Sequence, residues 1–550
     1  MKKICKNCKK DFEIEKKDLD FYARVDSPTP NYCPECRAQR RLAFRNERTL
    51  YKRNCDLCQK GIISLYPTNT SFPVYCHDCW WGDSWDAKNF GMDYNPSKTF
   101  FGQFTQLQNK VPRLALNVLT STNSEYTNNS GDNKNCYLIF AAEQNEDCLY
   151  GRLIQHCKAS VDCAFLYDSE LCYECIDCRG LYNSVFSERC QSSTDLLFCF
   201  NMRDSNNCIF CTNGRHLSNA ILNKKYNREE FLKKKEEILS SREKLEAAKK
   251  EFEELKKRVV VKYAFQTKCN DATGDYLFNC HEAKMLFDAS NAKACAYLAD
   301  AEDPIDTYDC NNIYYKPELC YDLMGILQCY KSKHSDYIFY CNEVEYSSSC
   351  YNTTSCFGCI GVKKGEYMIL NKQYEKVEYE KIKKTIIENM KKEGTYGQFF
   401  SPELSPFGYN ETLAQEYSPM TKDEAAKNRF NWQEQATGTY GKETIREKEI
   451  PETIEEVTED ILKEILICED CKKNYRITKS EFDFYKRINI PLPRKDFECR
   501  HKDRMAKRNP RKLWHRKCMK EGCPNEFETS YSPERPEMVF CETCYQQEVY

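Results

Sequence analysis

The two ends of this chain are copies of one another, so whatever the ends build is built twice. With Cys36 set against Cys499, the sequence runs ungapped from Arg37–Cys55 onto Arg500–Cys518. Upstream, Cys5-x2-Cys8-Lys-Lys answers Cys468-x2-Cys471-Lys-Lys, and "DLDFYARV" answers "EFDFYKRI". Downstream, Cys55-x2-Cys58 with Cys76-x2-Cys79 answers Cys518-x4-Cys523 with Cys541-x2-Cys544. Each copy wraps paired cysteines around a basic segment.

A C-x2-C turn presents two thiolates from one knuckle, and a second pair completes the tetrahedron that zinc prefers. Three sets meet this need: Cys5, Cys8, Cys33 and Cys36; Cys55, Cys58, Cys76 and Cys79; and Cys518, Cys523, Cys541 and Cys544. Four thiolates leave no open coordination position, so the expected ions are structural. In the fourth set Cys468, Cys471 and Cys499 are intact, but Asp496 stands where the first copy has Cys33. Asp496 or His501 could supply the last ligand, or the site is degenerate and empty. Three or four structural zinc ions are expected.

At 550 residues the chain exceeds one ordinary core. A net charge of −2 hides two basic patches, within 37–53 and 494–517, and a mostly acidic stretch over 443–465. The opening "MKKICKNCKK" lacks the apolar stretch of a secretory signal, and no run approaches the ~18 apolar residues of a membrane span. The 36 cysteines, many in C-x2-C pairs, favour reduced thiols in a cytoplasm over a disulfide scaffold.

Between the ends the cysteines follow another rule. Cys136, Cys157, Cys178 and Cys199 are each 21 residues apart, and Cys148, Ser169, Cys190 and Cys211 repeat that interval. Cys320 and Cys341, and Cys329 and Cys350, repeat it again. Runs such as "CAFLY", "DLLFCF" and "DYIFYC" are β-type and are divided by Asn, Asp and Ser. A fixed period with such runs predicts a parallel β-solenoid of about 21 residues per coil, with cysteines stacked inside. This region is itself duplicated. A shift of 148 residues places Cys208-x2-Cys211 on Cys356-x2-Cys359 and "ILNKKY" on "ILNKQY". Each copy runs into a charged helix, and in the first Phe231, Ile238, Leu245 and Phe252 recur every seventh residue. So narrow a stripe packs along one partner, a second helix or the solenoid flank.

The expected architecture is therefore multidomain and mainly β. A treble-clef-like zinc module (1–54) and a second zinc ribbon (55–100) precede solenoid copies at 120–226 and 261–374. Charged helices follow at 227–260 and 375–393, then a linker with an acidic helix at 394–467. Second copies of the two zinc modules close the chain at 468–517 and 518–550.

The segment "CKNCKKDFEIEKKDLDFYARVDSPTPNYCPECRAQRR" resembles the zinc-ribbon domain of treble-clef type: a knuckle, an aromatic-bearing middle, then "CPECR" opening a basic helix. With "YKRNCDLC", "VYCHDCWW" and "LSPFGYNETLAQEY", the full length is similar to cysteine-rich multi-zinc-ribbon proteins of candidate-phylum bacteria. The resemblance implies zinc and the treble-clef shape at Cys5, Cys8, Cys33 and Cys36, and implies no activity.

If 37–53 is helical, Arg37, Arg41, Arg45, Arg48 and Lys52 share one face, and Arg500, Arg504, Arg508, Arg511 and His515 repeat it. Pro510 should kink or end the second helix. Stacked like charges invite a polyanion, and arginine forks suit phosphate. The leading expectation is nucleic acid, structured RNA, held by Arg37, Arg41, Arg45, Arg48, Arg500, Arg504 and Arg508. Pairing with acidic segments of the same chain and a protein partner are the alternatives.

Trp80, Trp81, Trp85, Tyr94, Phe100 and Phe101 could stack bases, but read first as the small domain's core. Cys172, Cys175 and Cys178 have ligand spacing yet read as buried filler of the repeat. The pairs Cys208/Cys211 and Cys356/Cys359 remain metal candidates. There is no P-loop, dinucleotide fingerprint, HExxH or nucleophile elbow. The expected function is a non-catalytic, zinc-stabilised nucleic-acid-binding scaffold. A protein-interaction scaffold working through the solenoid surface is the runner-up, and metal storage or thiol redox a third class.

Overall fold

A residue turns left-handed at every third position of the central region. From Asn129 to Leu222 the positive φ angles fall at 129, 132, 135 and so on without a break, Gly180 taking one of the places. Strands form between these corners and pair in parallel, each with the strand twelve residues on: Asn128 with Phe140, Phe140 with Arg152, Arg152 with Ala164 and Ala164 with Ile176. The computed structural model describes residues 1–549 apart from 294–295, 298, 302–310, 315–320, 328–329 and 436–437. Cys320 and Cys329 thus lie outside the described residues.

The step of twelve replaces the expected 21. The underlying unit is a triplet, of which twelve holds four and 21 holds seven. One residue in each triplet points inward, and the buried cluster Cys136, Ile139, Ala142, Cys148, Ile154, Cys157, Cys163 and onward to Ala220 keeps to that phase throughout. Cysteines confined to one phase show many spurious intervals, all multiples of three.

Small polar residues suit the inward phase because backbone groups there need partners. Cys157 Sγ donates to the carbonyls of Gln155 and Leu166 at 3.2 and 3.3 Å. Ser160 Oγ donates to Lys158 O and accepts from Cys172 N, twelve residues on, at 3.3 Å. Cys208, Cys211, Cys356 and Cys359 behave alike, each buried and each donating to a backbone carbonyl. They fall in none of the metal-sized groupings found among the described residues, and serve as filler that also hydrogen-bonds.

The left-handed corners cost energy for any side chain beyond glycine. Side chains stacked between rungs offset it: Asn123 to Asn135 at 3.1 Å, Asn135 to Asp147 at 3.0 Å, and the rings of Phe186, Phe198 and Phe210 at 4.8 and 5.4 Å. A second ladder starts at Gln266 with a step of eleven, Gln266 against Leu277, and shifts register between Ala272 and Gly274. Only glycine fits that shift, because at φ +132° a Cβ on Gly274 would lie 1.8 Å from Leu286 O. From Gly274 with Leu286 the step is twelve, except for one of thirteen from Asn311 to Met324.

Both ladders finish the same way. "ILNKKY" and "ILNKQY" fold back as antiparallel hairpins, Ile221 against Lys224 and Ile369 against Lys372. Asn223 accepts from Thr212 N and donates to Thr212 O at 3.0 and 2.8 Å, and Asn371 does so with Ile360 at 2.7 and 2.8 Å. One amide side chain thus imitates a missing strand at each finishing edge.

The helices differ from expectation in detail. The charged stretch after the first ladder is two helices, Arg228–Leu239 and Arg242–Lys256, and Phe231, Ile238, Leu245 and Phe252 are all buried. Phe252 meets Phe198 at 5.7 Å, so the stripe lies along the ladder. The basic helix ends early, spanning Pro34–Leu42, and Tyr51–Asn54 is already a strand. Its copy spans Phe497–Ala506, ending before Pro510. Residues 451–467 form no acidic α-helix, holding a short 3-10 turn at Glu459–Leu462 and a strand at Leu466–Ile467.

Candidate metal centres and the arginine clasp

Four groups of side chains at the chain ends converge to metal size. They are Cys5, Cys8, Cys33 and Cys36; Cys55, Cys58, Cys76 and Cys79; Cys518, Cys523, Cys541 and Cys544; and Cys468, Cys471, Asp496 and Cys499. Within each, the ligand atoms lie within 4.8 Å of one another. Sulfur atoms 2.3 Å from a tetrahedral ion stand about 3.8 Å apart. Cys8 and Cys33 are 3.7 Å apart, Cys58 and Cys76 3.9 Å, and Cys523 and Cys541 3.9 Å. These three groups have the spacing of a filled site.

Each knuckle is aimed by its own backbone. The N–H groups of Cys33, Cys76 and Cys541 each donate at 3.3 Å to the first sulfur of their set, on Cys5, Cys55 and Cys518. Such donors favour thiolate, the form a metal requires. A hydrogen bond from Cys33 holds the Cys36 thiol down to about 5 against the opposing effect of burial, with help from the Asn7 amide. For Cys541, burial pushes upward but the Asn525 amide and neighbouring donors bring the thiol to about 6.

The fourth group is built differently. Asp496 Oδ1 caps the helix Phe497–Ala506, accepting from Glu498 N and Cys499 N at 2.8 and 3.0 Å. Its Oδ2 accepts from Cys471 Sγ at 2.7 Å. Of the two alternatives for the last ligand, Asp496 is in the group and His501 is not. His501 faces Glu416, Nε2 to Oε2 2.9 Å, and burial with Arg48 nearby drives its ring down to about 4.

The basic stripes turn inward instead of lining an exposed face. Arg37 donates to Tyr32 O at 2.6 Å and lies over the Tyr297 ring, Arg41 pairs with Asp322 at 2.7 Å, and Arg45 with Glu47 at 2.5 Å. In the other copy Arg500 pairs with Asp162 at 2.8 Å and Glu481 at 3.2 Å. Arg504 takes Asp162 and Glu174, both at 2.9 Å, and Arg508 bridges Asp177 of the first ladder and Asp288 of the second. All six arginines are buried, and Arg48, at the edge, meets Glu498 of the opposite end at 3.2 Å. Asp162, Glu174, Asp177, Asp288 and Asp322 come from the ladders and Glu47, Glu481 and Glu498 from the end modules, none of them from 443–465.

These pairs carry each end module to a definite ladder. The first end module lies on the second ladder, where Tyr22 meets Tyr321 at 5.1 Å and Lys284 meets Glu15 at 2.5 Å. The last one lies on the first ladder, where Tyr485 meets Tyr173 at 5.6 Å and Tyr150 donates to Glu481 at 2.8 Å. The second modules bridge, each pairing a strand with the segment that leads into one ladder while packing on the other, Trp80 on Tyr351 of the second ladder and Tyr545 on Asn201 of the first. Strand Val74–Tyr75 pairs with Arg113–Leu114 at the start of the first ladder, and Met538–Phe540 pairs with Val260–Lys262 at the start of the second. The second ladder is covered chiefly by the N-terminal modules and the first chiefly by the C-terminal ones.

The aromatics after the second metal group are core, as read from sequence. Trp80, Trp85 and Phe100 are buried, with Trp80 against Tyr351 and Phe100 against Phe357 of the second ladder at 5.4 and 5.1 Å. Among the described residues no helix is long and apolar enough to cross a membrane. No protein-family model and no curated protein matches this chain.

Proposed function

We propose that this chain is a non-catalytic scaffold, fastened by structural zinc, that works by holding protein partners on its ladders. The two ladders are read as β-solenoids of twelve-residue coils, and the four metal groups as zinc sites, three all-thiolate and one with a carboxylate. The observation that carries the reading is the inward direction of both arginine stripes. Guanidinium groups committed to Asp162, Glu174, Asp177, Asp288 and Asp322 are not free for phosphate. What remains outside is a regular, rigid surface of stacked rungs, the kind of surface that repeat proteins use for binding.

The test is native mass spectrometry on protein purified without nuclease. The expected species carries three or four zinc ions and no nucleic acid, at low and at physiological salt. Nucleic acid retained at physiological salt would overturn the reading in favour of a polyanion binder, and readily lost metal with many reactive thiols would favour metal storage or redox.

A further inference from the structure

The finishing edges of the ladders are capped by hairpin and asparagine, but the starting edge of the first ladder is not. Its first strand, Val118–Leu119, pairs with Asn128–Gly131 on one side and with no strand on the other among the described residues. In this ladder the left-handed residue donates to the rung below, as Asn135 N does to Thr122 O at 2.9 Å and Asp147 N to Lys134 O at 3.0 Å. Thr120 and Asn123 are left-handed too, so by the same rule their N–H groups face the empty side. Such an edge is a template for an added strand.

Beside the edge runs a groove of about 990 Å³, walled by the hairpin of the second metal module. Its apolar surface comes from Ile62, Ile63, Leu116 and Val118, and Leu119 stands 48% exposed next to it. Lys52 and Lys60 reach its rim.

The duplication supplies the comparison that identifies the occupant. The start of the second ladder has a sister groove of about 350 Å³, walled by Asn525–Glu528 and Cys541–Thr543. There His515 stands in the place of Lys52, and Glu526 and Glu528 in the places of Gly61 and Ile63. His515 is held between those two carboxylates at 2.8 and 3.0 Å, and Lys262 takes Glu542 at 2.5 Å. The sister groove carries its acid in cis. In the open groove neither Lys52 nor Lys60 has an ion-pair partner among the described residues: Gly61 and Ile63 offer no carboxylate, and the two that line it, Asp78, which faces His77, and the exposed Glu125, pair with neither lysine.

Resting on the scaffold reading, we propose that the groove at the start of the first ladder binds an extended acidic peptide of a partner protein. The peptide adds as a strand beside Val118–Leu119, sets apolar side chains on Ile62, Ile63 and Leu116, and brings carboxylates to Lys52 and Lys60.

Fluorescence anisotropy on the full, metal-loaded chain tests this with four labelled probes. They are a decapeptide of alternating glutamate and valine, its lysine–valine counterpart, a glutamate–valine peptide with two central prolines, and decauridylate. The first is expected to bind at least tenfold tighter than the second or third. Lys52→Glu/Lys60→Glu, and separately Ile63→Glu, which copies the sister groove, should weaken it at least tenfold with zinc content and melting temperature unchanged. Equal binding of the two charge types, no binding, or variants without effect would overturn the proposal. So would decauridylate binding that alone responds to the variants. If the peptide fails while the purified protein stays free of nucleic acid, the groove proposal falls and the scaffold reading stands.

Discussion

Arg41 meets Asp322 at 2.7 Å, with both side chains closed off from solvent at 0% and 3% exposure. Arg504, equally closed off, meets the partly exposed Glu174 at 2.9 Å. A shift of 463 residues carries Arg41 onto Arg504, and one of 148 carries Glu174 onto Asp322. One docking contact has therefore been kept through both duplications. Asp322 is buried, which opposes ionisation, but His334 and Arg41 hold its carboxyl far below the usual range.

Removing one member of such a pair strands the other. Arg41→Met should cost about 3 kcal/mol by leaving the buried Asp322 without its guanidinium, and Arg41→Met/Asp322→Leu should recover most of it. Denaturant midpoints of the three proteins check this. A single variant as stable as the parent would show that the pair does not fasten the module.

Asp336 gives the stability a pH dependence. Burial pushes its carboxyl up to about 6, against the Ser348 hydroxyl and Arg113, with Tyr66, Tyr337 and Cys350 also facing it. The folded state then holds a proton that the unfolded state has released, so stability falls as pH rises from about 4 to about 6. Above that window the buried charge costs on the order of 3 kcal/mol. Asp336→Asn should raise the melting temperature at pH 7.5 and leave it nearly unchanged at pH 4.

The fourth metal group should be the weakest. Asp496→Cys restores the ligand found at Cys33 and gives up a helix cap worth about 1 kcal/mol. Zinc release to a competing chelator should slow at least tenfold at that site, while the other three keep their rates. Equal release from all four sites in the parent protein would contradict the ranking.

Thiol reactivity should single out Cys269. It is half-buried, and a hydrogen bond with Cys280 holds it down to about 6 against burial. The inward thiols of Cys163, Cys175 and Cys350 are pushed well up by burial. Iodoacetamide at pH 7.5 on the zinc-loaded protein, read by peptide mapping, should mark Cys269 ahead of Cys163, Cys175 and Cys350.

Both duplications and the metal groupings were legible in the sequence, because ligand spacing is local and residue identity alone reveals it. The coil length was misread for a definite reason. Cysteine occupies some inward positions and Ser, Leu, Ile, Ala or Asn the others, so its intervals sample multiples of three without marking the rung. The direction of the arginines was not legible. Arg504 and Asp162 lie 342 residues apart, and nothing local distinguishes a guanidinium awaiting phosphate from one awaiting a carboxylate. The double register of Arg41 with Asp322 and Arg504 with Glu174 was implicit in two shifts, but only the crossed docking joins them. The sister grooves were invisible for the same reason, since each is walled by segments from distant parts of the chain.

The crossed clasp also sets an order of events for a ribosome. The first ladder is complete at the hairpin ending in Lys225, but the module that covers its Asp162 and Tyr173 begins near Cys468. More than two hundred residues must be made while that acidic and aromatic flank stands bare. The second ladder finds its cover already waiting at the N-terminus. Closure therefore comes late, when the residues from Cys468 onward seal the first ladder built, and a chain cut short before Cys468 would leave it unsealed.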